Sequence, residues 1–178
     1  MTKTALLVID AQELITNERL YAFDNYIENV RQLIAESRKN GIEVIYVRHD
    51  DGEGQPLSKG NEGFDVCREF APEAGERIFD KSVNSPFCDS GLLGYLRKKA
   101  VKRLIVTGLQ TDYCIDATVK CGFERGFEMI VPEYCNSTFD NVFMTAAQTY
   151  RYYNDFIWQN RYARCVKMAE VLDMIRSK

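Results

Sequence analysis

The stretch RLIVTGLQTDYCIDATVKCGFERGFEMIVP, residues 103–132, reads as a strand, a turn, a helix, a turn and a second strand. RLIVTG (103–108) and FEMIVP (127–132) are short, apolar and rich in β-branched residues, with no polar alternation. Runs of that kind suit strands covered on both faces. The intervening segment, from about Asp112 to Gly126, carries a helical pattern that stops at glycine. Two strands joined through a helix pair in parallel, because a hairpin cannot make that connection. Cys114 falls where the first strand passes into the helix.

The same alternation extends in both directions. TALLVID (4–10), GIEVIYVRH (41–49) and YARCVKM (162–168) are further strand candidates, and ERIFDK (76–81) is a shorter one. Asp24 is placed to N-cap a helix that presents Tyr26, Ile27, Val30, Leu33 and Ile34 on one face and ends at Asn40-Gly41. Other helices are expected over about 89–99, 141–158 and 169–175. The reading is a single domain, residues 1–178, of three-layer α/β/α architecture: a doubly wound, mainly parallel, Rossmann-like sheet of about six strands. The longest irregular stretch, HDDGEGQPLSKGNEGFDVCREFAPEAG (49–75), follows a strand. That places it at the carboxyl edge of the sheet, where open α/β folds bind ligands.

Bulk properties narrow the function classes. A length of 178 residues allows one sizeable core. A formal net charge of −3 gives no reason to expect nucleic acid or an anionic membrane as partner. No apolar run approaches the roughly 18 residues that span a bilayer, and MTKTALLVIDAQ, interrupted by Asp10, does not read as a signal peptide. The six cysteines are dispersed, without a CxxC pair, and there is one histidine. They read as reduced thiols in a cytoplasmic protein, not as a disulfide framework or a zinc site.

Three chemically capable residues share one relative position. Asp10 ends the first strand, Lys81 ends the short one, and Cys114 lies just past the strand 103–108. In a parallel sheet all carboxyl ends lie on one edge, so the three can be neighbours. A helix N-terminus and a nearby ammonium both favour a thiolate. An aspartate can relay the thiol proton to a leaving amine, and backbone N–H groups can hold an oxyanion. Acyl transfer through a thioester uses all of these parts. Taken singly, each has a plainer reading: Asp10 as a turn residue, Lys81 as a solvated lysine, Cys114 as packing.

ALLVIDAQ, IFDKSVNSPF and VTGLQTDYCIDATVKCGFERGFEMIVPEYCNSTFD together resemble the isochorismatase-like cysteine hydrolases, the superfamily that includes nicotinamidases. The similarity runs in order from about residue 4 to 140. It implies an Asp10–Lys81–Cys114 triad with Cys114 as nucleophile, Asp10 as proton shuttle and Lys81 as the charge between them. It also implies a cis peptide at Leu109–Gln110, with the N–H groups of Gln110 and Cys114 as oxyanion hole. Nicotinamidases of this superfamily bind a metal through an aspartate and several histidines; with His49 alone that site cannot be assembled, so no metal and no cofactor are expected. Members that cleave isochorismate's vinyl ether lack the cysteine, which favours C–N hydrolysis of a small amide or ureide here. The alternatives are hydrolysis of another bond, or a non-catalytic binding member.

Around the triad, His49 is a rival base for Cys114, although a packed or capping histidine is the favoured reading. Gln12 is placed to share Asp10's side and position water or substrate; a surface amide is the alternative. Arg48 is a candidate partner for a substrate carboxylate, or else an ion-pair partner of Asp50 or Asp51. Phe87, Tyr113 and Phe64 are candidate pocket walls. Cys88 and Cys135 receive no role. The aromatic run Tyr150, Tyr152, Tyr153, Phe156, Trp158 and Tyr162 suggests an interface, so a homo-oligomer, dimer or tetramer, is expected, with a small-molecule substrate.

Overall fold

A computed structural model describes residues 2–177. Its centre is a parallel sheet in the order β3-β2-β1-β4-β5-β7, formed by β1 (Thr4–Ile9), β2 (Glu43–His49), β3 (Arg77–Lys81), β4 (Arg103–Leu109), β5 (Glu128–Pro132) and β7 (Arg164–Val166). A seventh, two-residue strand, β6 (Asn136–Ser137), pairs with the end of β4. It is too short to leave any periodicity in the sequence. The helices are α1 (Phe23–Lys39), α2 (Leu92–Lys98), α3 (Asp116–Glu124), α4 (Ala146–Arg151) and α5 (Met168–Arg176).

Side-chain alternation along the strands sorts the core into two layers. Leu6, Val8, Val44, Tyr46 and Ile105 pack against Tyr26, Val30 and Leu33 of α1 and Val171 and Ile175 of α5. Ala5, Leu7, Ile9, Val47 and Val106 face the other way, onto Leu92 and Leu96 of α2 and Val119 of α3. The strands are apolar at successive positions because both faces are covered. This is the expected doubly wound α/β/α fold, with one strand more than the six anticipated.

Three local expectations are corrected. Asp24 lies within the first turn of α1, while the N-cap is Ala22 in left-handed conformation. The expected helix over 141–158 instead starts at a capping box of Thr145 and Gln148, runs to Arg151, and continues as wider π-helical turns over Tyr152–Trp158. The turn that carries Cys114 is likewise π-helical, Thr111–Ile115, and α3 begins only at Asp116. Of the aromatic run, Tyr150 and Trp158 are buried, whereas Tyr152 and Phe156 are exposed. No helix among the described residues is long and apolar enough to cross a membrane.

The chain order reverses between β1 and β4. β1 leads to β2 and β3 on one side, and β4 leads to β5 and β7 on the other, so a crevice opens at the carboxyl ends of β1 and β4. There the two strands come unusually close. Gly108, opposite Ile9 in the register, has φ +124°, and a Cβ built on it would lie 1.9 Å from the Ile9 carbonyl oxygen. Only glycine satisfies both demands. Gly108→Ala should therefore cost about 3 kcal/mol in urea unfolding, whereas alanine at Gly94, which meets nothing within 4 Å, should be near neutral or stabilising.

Candidate active site

Each strand end delivers one side chain to the crevice. β1 stops at Ile9, and Asp10 follows in the left-handed region with φ 48°, its N–H still bonded to Val47 O at 2.9 Å. Aspartate tolerates that conformation better than most residues. Lys81 closes β3, two strands away, and sits in register with His49 of β2. Strands lie about 4.8 Å apart, so a lysine is long enough to pass His49 and reach the end of β1. Its Nζ lies 2.7 Å from Asp10 Oδ2, 2.9 Å from His49 Nδ1 and 3.2 Å from Cys114 Sγ. Asp10 and Lys81 are almost wholly buried.

An ammonium has three N–H donors and no acceptor, and Lys81 has three acceptors around it. Lys81 Nζ can only donate, so His49 Nδ1 accepts from it, and the ring's Nε2 lies 3.1 Å from Asp51 Oδ1. Asp10, His49 and Cys114 present metal-type donor atoms within 4.8 Å of one another. Lys81 Nζ bonds all three, so this donor set fits the lysine ammonium and leaves no place for a second cation.

Burial raises the Asp10 carboxyl above its ordinary value, outweighing the attraction of Lys81. Burial also pushes the Cys114 thiol up to about 12, with the Asp10 charge acting the same way. Desolvation thus outweighs the ammonium that favours a thiolate, and the resting form is the thiol whose proton the sequence reading gives to Asp10. Asp10 Oδ1 is buried and has no hydrogen-bond partner among the described residues. It is an open acceptor beside a thiol.

The Leu109–Gln110 peptide is cis, and the turn after it is anchored by a buried polar chain. Thr111 Oγ1 donates to Asn136 Oδ1 at 2.8 Å, Asn136 Nδ2 to Asn154 Oδ1 at 3.0 Å, and Thr138 Oγ1 to Asp112 Oδ1 at 2.6 Å. The short strand β6 thus holds the cysteine turn in place.

A cleft of about 500 Å³ opens over Asp10, His49, Gln110 and Cys114. Its remaining walls include Leu14, Ile15, Leu57, Asn84 and Tyr113. A larger groove of about 820 Å³ lies at the opposite, amino-terminal edge of the sheet, near Thr4 and Arg103, and has no cysteine or histidine among its lining residues.

Tyr113 takes the expected wall position, but three candidate substrate contacts do not. Gln12 is fully buried: its Nε2 donates to the carbonyls of His49 and Phe64 at 3.0 and 2.8 Å, and its Oε1 accepts from His49 N at 2.8 Å. It fastens the loop after β2 to the sheet. Arg48 bonds Asp80 and Asp65 at 2.9 and 2.7 Å and lies 4.5 Å over the Phe64 ring, so it pins that same loop; Asp50 and Asp51 are not its partners. Phe87 stacks on Phe127 in the core. His49, read as a packed or capping residue, is instead bonded to the central lysine. Asn84 carries no signal in the sequence, and Asp51 enters there only as an ion-pair partner for Arg48, although each follows closely on a residue already singled out, Lys81 and His49. Cys88 is exposed and Cys135 is buried against Glu133.

The isochorismatase domain model matches residues 4–157. YddQ of Bacillus subtilis, described as an uncharacterized isochorismatase family protein, is 30% identical over 76% of this chain and 78% of its own length. The ureidoacrylate amidohydrolase RutB of Yersinia enterocolitica is 28% identical over 67% of this chain and 69% of its own. The crystal structure of a cysteine hydrolase from Pseudomonas syringae pv. phaseolicola superposes with a TM-score of 0.89 at 24% identity, covering 98% of this chain and 93% of that one; this likeness is one of fold. The chain belongs to the isochorismatase family and is a hydrolase.

Removing one partner of a buried ion pair strands the other, at about 3–5 kcal/mol. Lys81→Met should therefore lower stability by that amount in denaturant titration. Adding Asp10→Asn should recover most of the loss, because the stranded charge is gone. Additive losses in the double variant would show that the pair is not coupled.

Proposed function

We propose that the protein hydrolyses a C–N bond of a small amide or ureide through a thioester on Cys114. The observation that carries this reading is the single ammonium, Lys81, buried and bonded to both Asp10 Oδ2 and Cys114 Sγ, two residues that line the cleft. A purely structural ion pair has no use for a thiol as third partner. The relative named as an amidohydrolase supports the choice of bond, and the cleft's volume suits a small molecule.

In this reading, substrate binding expels water and brings the carbonyl carbon to Sγ. Asp10 takes the thiol proton on its free oxygen, and the sulfur attacks the carbonyl carbon. Lys81 offsets the negative charge that moves between sulfur and carboxylate. The N–H groups of Gln110 and Cys114 hold the oxyanion of the tetrahedral intermediate. Collapse breaks the C–N bond, and Asp10 gives its proton to the departing nitrogen as the amine or ammonia leaves. Water, deprotonated by Asp10, then attacks the thioester, giving the acid and regenerating the thiol. Each proton taken by Asp10 is returned within the cycle.

The base must be ionised to start, and burial raises its pKa. The acid limb of kcat/KM should therefore lie above the ordinary aspartate value of 3.8. Ammonia release from a panel of primary amides and ureides, followed across pH, checks both points. Cys114→Ala should abolish release, a loss of at least about a thousandfold. Release that survives in Cys114→Ala would rule out the covalent route.

A further inference from the structure

The cleft's charges point to its substrate class. Among the described residues lining it there is no arginine or lysine. The nearby cations are already committed: Lys81 gives its three donors to Asp10, His49 and Cys114, and Arg48 is held by Asp65 and Asp80. Lys59 is paired with Asp80 as well. Among the described residues, the one carboxylate on the wall not balanced by a lysine or arginine is Asp51. It is partly exposed, and its only charged-type neighbour among them is His49 Nε2 at 3.1 Å. No lysine or arginine among the described residues pairs with Asp51, and Lys81 turns its donors away from it, toward Asp10, His49 and Cys114.

Asp51 is also held in place. Its N–H bonds Leu57 O at 2.8 Å, and the neighbouring Asp50 N–H bonds Lys81 O at 2.8 Å. Gln12 grips the His49 backbone from the other side. With Asp10 and Lys81 cancelling and Cys114 a neutral thiol, the cleft carries one net negative charge, fixed at its rim. Leu14, Ile15, Pro56, Leu57 and Tyr113 make the rest of the wall largely apolar.

We propose that the site selects small amides without negative charge, favours those bearing an ammonium group beyond a short aliphatic chain, and rejects carboxylates, with Asp51 as the specificity-determining residue. This rests on the hydrolase reading for its chemistry, but the charge selection is a property of the cleft itself. A substrate carboxylate would meet Asp51 with no cation free to offset the repulsion. An ammonium would find a preplaced partner.

Two measurements keep the two claims apart. The first needs no turnover: the rates at which Cys114 is modified by cationic 2-aminoethyl and anionic 2-sulfonatoethyl methanethiosulfonate, mapped by peptide mass. Each is normalised to the same reagent's rate with a free model thiol, with exposed Cys88 read alongside. The cationic reagent should be favoured at Cys114 by about tenfold, and the preference should vanish in Asp51→Asn, which removes the charge at nearly the same side-chain size. A preference for the anion, or one that Asp51→Asn leaves unchanged, would overturn the proposal. The second compares kcat/KM for 4-aminobutanamide, butanamide and succinamic acid, expected in that falling order. Succinamic acid as the best substrate would refute the selection. No ammonia from any of the three, with the cationic preference at Cys114 intact, would count against the hydrolase reading alone.

Discussion

Everything at the carboxyl edge of the sheet is arranged around one buried ammonium. Lys81 reaches from β3 across the end of β2 to the end of β1, and its three donors meet a carboxylate, an imidazole and a thiol. A buried cation is costly unless its charge is offset and its donors are satisfied, so the three acceptors have little freedom to move. The requirement spreads outward. It makes His49 Nδ1 an acceptor, and the backbone beside that ring is held by Gln12 and by the Asp50 N–H bond to Lys81 O, which place the loop after β2. On the other side it demands that β4 deliver Cys114 close to β1, which is why Gly108 must pass within touching distance of Ile9.

The electrostatics that follow differ from those of an exposed reactive thiol. Burial works against ionisation of both Asp10 and Cys114, so the resting pair is a thiol beside a carboxylate whose second oxygen is open. In the proposed reaction such a site is quiet without substrate and becomes reactive when a carbonyl carbon takes the sulfur's electrons as the proton moves to Asp10. The lysine changes little in that exchange, since it faces one negative charge before and after. This is the sense in which its position is catalytic in the proposed reaction.

Much of this was readable from the sequence, for a definite reason. A parallel sheet covered on both faces leaves uninterrupted apolar runs, and such runs reveal both the strands and their carboxyl ends. Asp10, Lys81 and Cys114 could thus be gathered at one edge without knowing a single distance. Side-chain direction beyond the strand ends was not readable. Gln12 was placed on Asp10's side by the two-residue alternation of a strand, but Asp10 sits at φ 48° and the alternation ends there. His49, at a strand's carboxyl end, reads from sequence as a packed or capping histidine; its partner is 32 residues away, adjacent only through the β2–β3 register. Arg48 bears the right charge for a substrate carboxylate, yet Asp65 and Asp80, also distant in sequence, consume it. The balance between burial and ammonium at Cys114 depends on how tightly the crevice closes, which no local motif encodes.

The central claim is that carbon–nitrogen cleavage passes through sulfur, and it can be read directly. Enzyme mixed with a substrate amide is quenched in acid within a turnover, and the intact protein and its peptides are weighed. The account predicts a transient acyl adduct, with the mass of the substrate's acid minus water, on the peptide that holds Cys114. It should be absent from the other five cysteines. Turnover with no adduct at any quench time, including when hydrolysis is slowed by cold, or an adduct on a different residue, would contradict it.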